Sequence, residues 1–244
     1  MANVVVTSFS VAGARLYGRR MGESLRRFWP LSHARVIYAD GPIGIRGCEE
    51  RLTTDLPDWM ACKRRWASDP AVQGRPATLP KGKTYHYRYD AARFAVKHFV
   101  MRDAAVQLGH GIVTWLDGDT VTTRRIPEDW AEGLLNGGDV AYLGRGPMHP
   151  ETGYVGFRIP EALPLLAWCC ETYASDHFRA LPGWTDCHVL RAGLAAVPVR
   201  AVDLTSHLYR GRSHIWPLSP LAPYVTHFKG KSKQDAQTKR RAVA

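Results

Sequence analysis

The residues in this chain with the clearest chemical potential are two aspartates, Asp117 and Asp119, separated only by Gly118. They follow residues 112–116, an apolar run typical of a buried strand. In an open α/β sheet, ligands bind at the carboxyl ends of the strands. Two carboxylates at such an end can hold a hard divalent cation, and a glycine between them lets a diphosphate approach the backbone closely. The alternative interpretation is an acidic turn that binds nothing.

Basic residues that could bind an anion occur in two other segments. Arg93 and Lys97 lie four residues apart in a segment with helical periodicity, residues 89–108. Two neighbouring cations do not stabilise each other, so they indicate either a bound anion or a solvated cationic face. Near the end of the chain, residues 227–233 have the sequence HFKGKSK. Lysines and backbone N–H groups are what supply countercharge to a diphosphate.

The elements around these residues alternate between strands and helices. A strand at residues 4–6 is followed by a helix with an apolar stripe that ends at Pro30, and by a second strand at residues 36–38. This order predicts a parallel sheet at this point. Residues 41–85 are rich in Pro, Gly, Lys and Trp and predict an irregular loop over the site. A further helix is predicted at residues 89–108, with an apolar face of Ala92, Val96, Phe99, Val100 and Val106. Strands are predicted at residues 112–116, 140–143, 154–157 and 224–226, and an edge strand at 197–199. Three more helices are predicted to start at Pro127, at Pro160 and after a Thr185 cap.

Length and composition predict a single domain. The chain has 244 residues, of which 45% are hydrophobic, and it shows no internal repeat or linker. The first 30 residues contain no apolar run long enough for a signal peptide or a membrane span, which predicts a cytoplasmic protein. The five cysteines form no CxxC pair, which favours reduced thiols and argues against a structural zinc site.

The formal net charge is +11, and it is spread along the chain rather than confined to one tail. A basic surface attracts polyanions, including nucleic acid, anionic membranes and phosphorylated substrates. A nucleic-acid partner, a nucleotide donor and a plain solvated basic face are all compatible with this charge.

Four segments resemble the GT-A nucleotide-sugar glycosyltransferases, most closely the glycogenin and lipopolysaccharide galactosyltransferase family. They are VTSF with YGRRMGESLRR near the start, FAVKHF with TWLDGDTV and RRIPEDW in the middle, GWTDCHVL later, and HFKGKSK, which matches the family's H-x-x-G-x-x-K ending at each fixed position. The resemblance implies a GT-A, Rossmann-like α/β fold with a mixed, mostly parallel sheet flanked by helices. The domain would span residues 1–228, and a basic tail at residues 229–244 would complete the donor site.

The resemblance also implies an activity and roles for individual residues. A sugar would move from a nucleotide-diphosphate donor, a UDP-sugar, to an acceptor hydroxyl. Asp117, Asp119 and His227 would hold Mn²⁺ or Mg²⁺, and the nitrogen ligand favours manganese. Lys97 would act near the donor phosphates, and Asp186 would orient the sugar or accept the acceptor proton. The donor-binding set would also include Thr7, Ser8, Phe9, Tyr17, Asp40, Arg93, Gly118, Gly230 and Lys233.

The acceptor side departs from the family pattern at two places. The implied acceptor residues are Glu151, Thr152, Gly153, Trp184 and Asp186. The family usually has Asn-Ser/Ala-Gly where Glu151-Thr152-Gly153 stands, and Cys187 replaces the usual glutamine after Asp186. These departures leave the acceptor contacts and the stereochemistry open, although retention is the family's habit.

The sequence leaves several acceptors open. The basic charge and the compact architecture are loosely similar to phage-encoded transferases that glycosylate hydroxymethylated DNA bases. Such a target base must leave the stack, and Trp-rich or Arg-rich loops near residues 58–66 could assist. A saccharide, a lipid or a protein acceptor is equally open.

Two other function classes also compete. LDGDT fits the D-x-D-x-T nucleophile motif of haloacid-dehalogenase phosphatases, which would form an aspartyl-phosphate at Asp117. That motif normally ends the first strand of its fold, whereas here more than a hundred residues precede it. A non-enzymatic, basic nucleic-acid-binding protein is the second class, and it leaves the H-x-x-G-x-x-K match unexplained.

Overall fold

The computed structural model describes residues 2–79, 81–211 and 214–229. A seven-stranded sheet runs through these residues in the order β3-β2-β1-β4-β7-β6-β8, and β5 and β9 form a separate antiparallel pair. The strands are β1 (Asn3–Ser8), β2 (His33–Ala39), β3 (Glu49–Leu52), β4 (Gly111–Leu116), β5 (Thr120–Thr122), β6 (Val140–Arg145), β7 (Met148–Ile159), β8 (Ala201–Asp203) and β9 (Val225–His227).

The large sheet is mixed and mostly parallel. Strands β1, β2, β3 and β4 pair in parallel, as do β6 and β8, whereas β7 runs antiparallel to both β4 and β6. All six residues of β4 are buried, as expected for a strand covered on both faces. The predicted α/β class with a mixed, mostly parallel sheet flanked by helices is confirmed.

Helices cover both faces of the sheet. Successive strand residues point to opposite sides, so apolar strand residues face helices on each side. Val4 and Val6 of β1 pack with the helices of one face, and Val5 packs with those of the other. The first face carries α3 (Pro57–Arg65), α5 (Val96–Leu108), α7 (Leu163–Ala174) and α8 (Asp186–Ala196); the second carries α2 (Arg19–Phe28) and α6 (Trp130–Leu135). Two short helices, α1 (Val11–Gly13) and α4 (Ala91–Phe94), precede α2 and α5.

The small sheet brings the end of the described chain back to the aspartate pair. Strand β9 pairs with β5, and Thr120 lies opposite His227. The backbone N–H of Phe228 then donates to the carbonyl of Asp119 at 3.1 Å. Two segments far apart in sequence are thus joined by backbone hydrogen bonds at the carboxyl end of β4.

Some predicted elements differ from the structure. Residues 41–85 are not irregular throughout, since they contain β3 and α3. Val106 is 60% exposed and lies off the apolar face of α5. The edge strand predicted at residues 197–199 lies instead at Ala201–Asp203, as β8. Thr185 precedes α8, but its side chain does not cap the helix; its hydroxyl contacts Cys187 and His188 instead.

The segment near residues 58–66, predicted as loops that assist base extrusion, is not a loop. This segment is largely helix α3, and Trp59 and Trp66 are both buried in the core. Arg65 forms an ion pair with Asp176 at 3.0 Å. Aromatic rings that are buried in the core cannot stack on a flipped base.

Within residues 2–79, 81–211 and 214–229, no helix combines the length and the apolar character needed to cross a bilayer.

Trp66 holds α3 against the rest of the core, so Trp66→Ala should be strongly destabilising. The indole ring packs edge-to-face on Phe178 at 5.4 Å between centroids, and its Nε1–H donates to Asp176 at 2.8 Å. We expect the variant to lose about 3–5 kcal/mol of unfolding free energy in urea titrations. Arg64→Ala, an exposed neighbour, should change stability by less than about 0.5 kcal/mol. Equal effects for the two variants would show that α3 does not contribute to the cooperative core.

Candidate active site

A cleft of about 710 Å³ lies at the carboxyl ends of β1 and β4. The aspartate pair forms part of its wall, as the position of β4 in the sheet requires. Residues from the predicted site that line it are Ser8, Phe9, Tyr17, Asp40, Arg93, Lys97, Asp117, Gly118, Asp119, Glu151, Thr152 and Asp186.

Asp117, Asp119 and His227 converge in this region. The Nε2 atom of His227 lies 3.1 Å from Oδ1 of Asp119 and 3.8 Å from Oδ2 of Asp117. One ligand atom from each residue falls within 4.8 Å of the other two. The His227 side chain is only 2% exposed, whereas that of Asp117 is 30% exposed, so the group opens toward the cleft on the Asp117 side.

Local contacts fix the orientation of these three residues. The indole N–H of Trp115 donates to Oδ1 of Asp117 at 3.0 Å. The backbone N–H of Asp117 donates to the carbonyl of Gly153 at 2.9 Å. A side chain at Gly153 would collide with His227, because an added Cβ would lie 2.6 Å from Cε1 of the ring. Gly153 was predicted on the acceptor side. In the structure it leaves room for the His227 ring and does not line the cleft.

A buried lysine connects the aspartate pair to the opposite wall. Nζ of Lys97 lies 2.8 Å from Oδ1 of Asp117 and 2.6 Å from Oδ2 of Asp186. It also donates to the carbonyl of Thr152 at 2.7 Å, and the Thr152 hydroxyl donates to Asp186 at 2.6 Å. Trp115 presents its ring face to the ammonium group at 5.0 Å. The two predicted catalytic residues, Lys97 and Asp186, are therefore in direct contact.

The electrostatics of this pair favour the charged forms. Burial alone lowers the pKa of Lys97, but Asp117 and Asp186 outweigh that effect and raise the pKa above its usual value. Burial likewise raises the pKa of Asp186, but the charge and hydrogen bond of Lys97 outweigh it, so the net pKa is lowered. Asp186 is therefore an anion near neutral pH.

The donor-side residues form one aromatic corner of the cleft. The rings of Phe9 and Tyr17 are edge-to-face with centroids 6.2 Å apart. Gly118 packs under both, since an added Cβ would lie 2.7 Å from Cδ1 of Phe9 and 3.2 Å from Cε2 of Tyr17. Asp40 accepts a 2.7 Å hydrogen bond from the backbone N–H of Val11 at the start of α1. The glycine thus makes room for aromatic rings beside the two aspartates.

Some predicted site residues lie elsewhere. The Thr7 side chain is fully buried in the sheet and does not reach the cleft surface. Trp184 packs against Tyr89, with ring centroids 5.2 Å apart, and does not line the cleft either. Thr7 lies near the end of β1, where side-chain direction depends on strand register, and Trp184 lies two residues before α8. Gly230 and Lys233 lie outside the described residues.

Residues with no predicted role also occupy the cleft. Lys229 forms an ion pair with the buried carboxylate of Glu151. Arg145, His149 and Cys187 line the far end. Lys229 and Cys187 stand inside quoted motifs and could have been proposed, whereas Arg145 and His149 lie in a segment with no motif.

Comparisons with known proteins add a structural likeness only. No protein-family model and no curated protein matches the chain. Among solved structures, the apo form of mouse xyloside xylosyltransferase 1 is similar, with a TM-score of 0.48, 11% sequence identity, and coverage of 84% of this chain and 86% of that chain.

Removing the lysine should reverse the pH dependence contributed by Asp186. In the wild type, the lowered pKa of Asp186 contributes stability above the pKa of an unfolded aspartate, and this is lost as pH falls through the folded pKa. In Lys97→Met the hydrogen bond from Thr152 remains, but burial is the larger influence, so the pKa of Asp186 rises and stability falls as pH increases. We expect a loss of about 3–5 kcal/mol near neutral pH, measured by urea unfolding at roughly pH 5 and pH 8.

The double variant Lys97→Met/Asp186→Asn is the matched control for this experiment. It removes both charges of the pair, so the stability loss and its pH dependence should largely disappear. A single variant as stable as the wild type at both pH values would contradict the buried ion pair.

Proposed function

We propose that this protein is a metal-dependent glycosyltransferase that moves a sugar from a nucleotide-diphosphate donor to an acceptor hydroxyl. The observation that supports this most strongly is the convergence, in one cleft, of Asp117, Asp119 and His227 with the Lys97–Asp186 pair. A metal-binding set beside a fixed positive charge suits a leaving group that develops negative charge. The aromatic corner next to it suits a nucleotide base.

The three proposed ligands fit a divalent cation. Two carboxylate oxygens and one imidazole nitrogen form a mixed set, which suits Mn²⁺ better than Mg²⁺. The carboxylates of Asp117 and Asp119 supply negative charge, and the buried His227 is fixed by β9 and by its packing over Gly153. A cation bound there would act as a Lewis acid on the diphosphate.

The donor would lie with its base near the aromatic corner and its diphosphate near Gly118. Phe9 and Tyr17 offer ring faces and edges to the base, and Asp40 offers a carboxylate at the end of β2. Gly118 packs under these two rings, so the diphosphate would lie beside the glycine, at the carboxylates of Asp117 and Asp119. We assign uridine as the base, on the resemblance to UDP-sugar enzymes.

Sugar transfer breaks the bond between the anomeric carbon and the diphosphate oxygen and forms one to the acceptor oxygen. The buried ammonium of Lys97 places positive charge beside the departing diphosphate. Asp186 is held as an anion by Lys97 and Thr152, and it lines the cleft. It would orient the sugar and accept the acceptor's hydroxyl proton.

Hydroxymethylated DNA bases are one acceptor consistent with the net charge of +11. In the segment proposed to assist base extrusion, residues 58–66, Trp66 is buried in the core, whereas Trp59 and Lys63 line the cleft. Saccharide, lipid and protein acceptors require no such extrusion.

Asp119→Asn should abolish metal-dependent hydrolysis of a UDP-sugar while the fold survives. Even residues that only support metal ligands contribute roughly 10–100-fold to affinity or activity, so loss of a ligand should exceed that. Manganese binding, followed by the quenching of the free-ion signal in electron paramagnetic resonance, gives a readout independent of activity. The control is Asp129→Asn, an exposed aspartate outside the cleft.

Unchanged Mn²⁺ binding and hydrolysis in Asp119→Asn would remove the metal-site proposal. A phosphatase would instead release phosphate from phosphate monoesters and form an aspartyl-phosphate at Asp117. A non-enzymatic nucleic-acid-binding protein would show no hydrolysis in any variant.

A further inference from the structure

A second cluster of polar side chains lies at the end of the cleft away from the aromatic corner. The rings of His149 and His188 lie side by side with centroids 4.4 Å apart. Nδ1 of His188 is 2.8 Å from the hydroxyl of Thr185, which is 3.0 Å from Sγ of Cys187. His149, Thr185 and Cys187 line the cleft next to Asp186. The cluster therefore adjoins the carboxylate proposed to face the acceptor.

Two guanidinium groups surround this cluster. Arg145 is buried and donates to the backbone carbonyls of His149 and Pro150 at 2.9 and 3.2 Å, and also to Nδ1 of His149. Arg88 and His188 both pack on Gly183, where an added Cβ would lie 2.7 Å from Cγ of Arg88 and 2.6 Å from Cε1 of His188. Close packing at the glycine thus holds an arginine stem beside the histidine pair.

The charges that face the cluster sum to a positive potential. The nearby carboxylate of Asp186 is paired with Lys97, and that of Glu151 is paired with Lys229. By contrast, Arg88 forms no ion pair with any residue in the described part of the chain. The cluster therefore keeps an excess of positive charge, and the exposed guanidinium of Arg88 can turn toward a ligand.

The titratable groups of the cluster respond to that potential. Burial, together with the proximity of His149, Arg88 and Arg145, lowers the pKa of His188 to about 4. Burial and Arg145 likewise lower the pKa of His149. Neutral imidazoles next to arginines provide N–H donors without adding charge.

A metal ion fits this cluster less well than an anion does, although His149, Cys187 and His188 have ligand-like spacing. The hydrogen bond from Arg145 uses the lone pair of Nδ1 on His149 and leaves its proton on Nε2. Burial raises the pKa of Cys187 to about 12, so a metal bound there would first have to displace the thiol proton. Two guanidinium groups would also repel a cation.

We propose that this end of the cleft is a binding subsite for an oxyanion, a phosphate or a carboxylate carried by a small saccharide acceptor, held by Arg88 and Arg145 and by N–H groups of the histidine pair. The inference rests on the proposed glycosyltransferase function and names the acceptor class of that site. The exposed guanidinium of Arg88 can bind either a phosphate or a carboxylate through paired N–H donors. Arg145, whose Nε and Nη2 already donate to His149 and Pro150, would contribute its positive charge. A hydroxyl of the bound saccharide would then lie near Asp186.

The first test compares three saccharides of similar size by isothermal titration calorimetry: glucose 6-phosphate, glucuronate and glucose. Charge-assisted hydrogen bonds are stronger than neutral ones, so both anionic saccharides should bind about 10-fold or more tightly than glucose. The two anionic arms distinguish a phosphate from a carboxylate. Each titration is run with and without UDP and Mn²⁺. Because UDP carries no sugar to transfer, the measured heat reports binding of the saccharide alone.

The second test uses variants that remove one charge each. Arg88→Gln should weaken binding of the preferred anionic saccharide about 10-fold and leave glucose binding unchanged. Arg88→Lys should restore part of the affinity. The matched control is Arg64→Gln, which removes an exposed arginine outside the cleft and should have no effect. Hydrolysis of the UDP-sugar without acceptor should be the same in Arg64→Gln and the wild type.

The outcomes separate the two proposals. No hydrolysis by the wild type, together with Arg88-dependent binding of an anionic saccharide, would reject the transferase function and keep the oxyanion subsite. Normal hydrolysis with equal binding of glucose and the anionic saccharides would reject the subsite. Zn²⁺ binding that is lost in Cys187→Ser, or tighter binding of a duplex oligonucleotide than of either saccharide anion, would also overturn it, in favour of a metal site or a nucleic-acid acceptor.

Discussion

The site depends on the buried ion pair between Lys97 and the carboxylates of Asp117 and Asp186. Burying an ammonium group is costly unless its charge is compensated and its hydrogen bonds are satisfied. Here two carboxylates and the carbonyl of Thr152 compensate it. Since the three side chains come from α5, the end of β4 and the start of α8, the pair fixes the relative positions of elements on both walls of the cleft.

Other buried carboxylates in the cleft are also paired with a positive charge. Asp186 and Glu151 are each matched by a lysine, Lys97 and Lys229. The aspartate pair faces the cleft with His227 as neighbour, which favours a cation, whereas Arg88 and Arg145 face the other end, which favours an anion. Under the two proposals, a metal-diphosphate would bind at one end of the cleft and an anionic acceptor at the other, each beside side chains of opposite charge.

The sequence predicted the parts of the site that depend on local signals. The apolar run before Asp117 and the helical spacing of Lys97 are visible without a structure, and so is the α/β order. Helix α3 was missed because its buried residues, Trp59 and Cys62, stand among exposed charged ones. Thr7 was misplaced because the facing of a strand-end residue depends on register. The cluster of His149 and His188 depends on packing between β7 and α8, which no local pattern encodes.

The central claim is that Asp117, Asp119 and His227 bind a cation and the donor's diphosphate together. The most direct measurement is thermal unfolding of the full chain with UDP in the presence of Mn²⁺ or of EDTA. Because the diphosphate and the protein would share the metal, UDP should stabilise the fold by about 2.7 kcal/mol at a hundredfold excess over its Kd with Mn²⁺, and far less with EDTA. Equal stabilisation under both conditions, or none under either, would contradict the account.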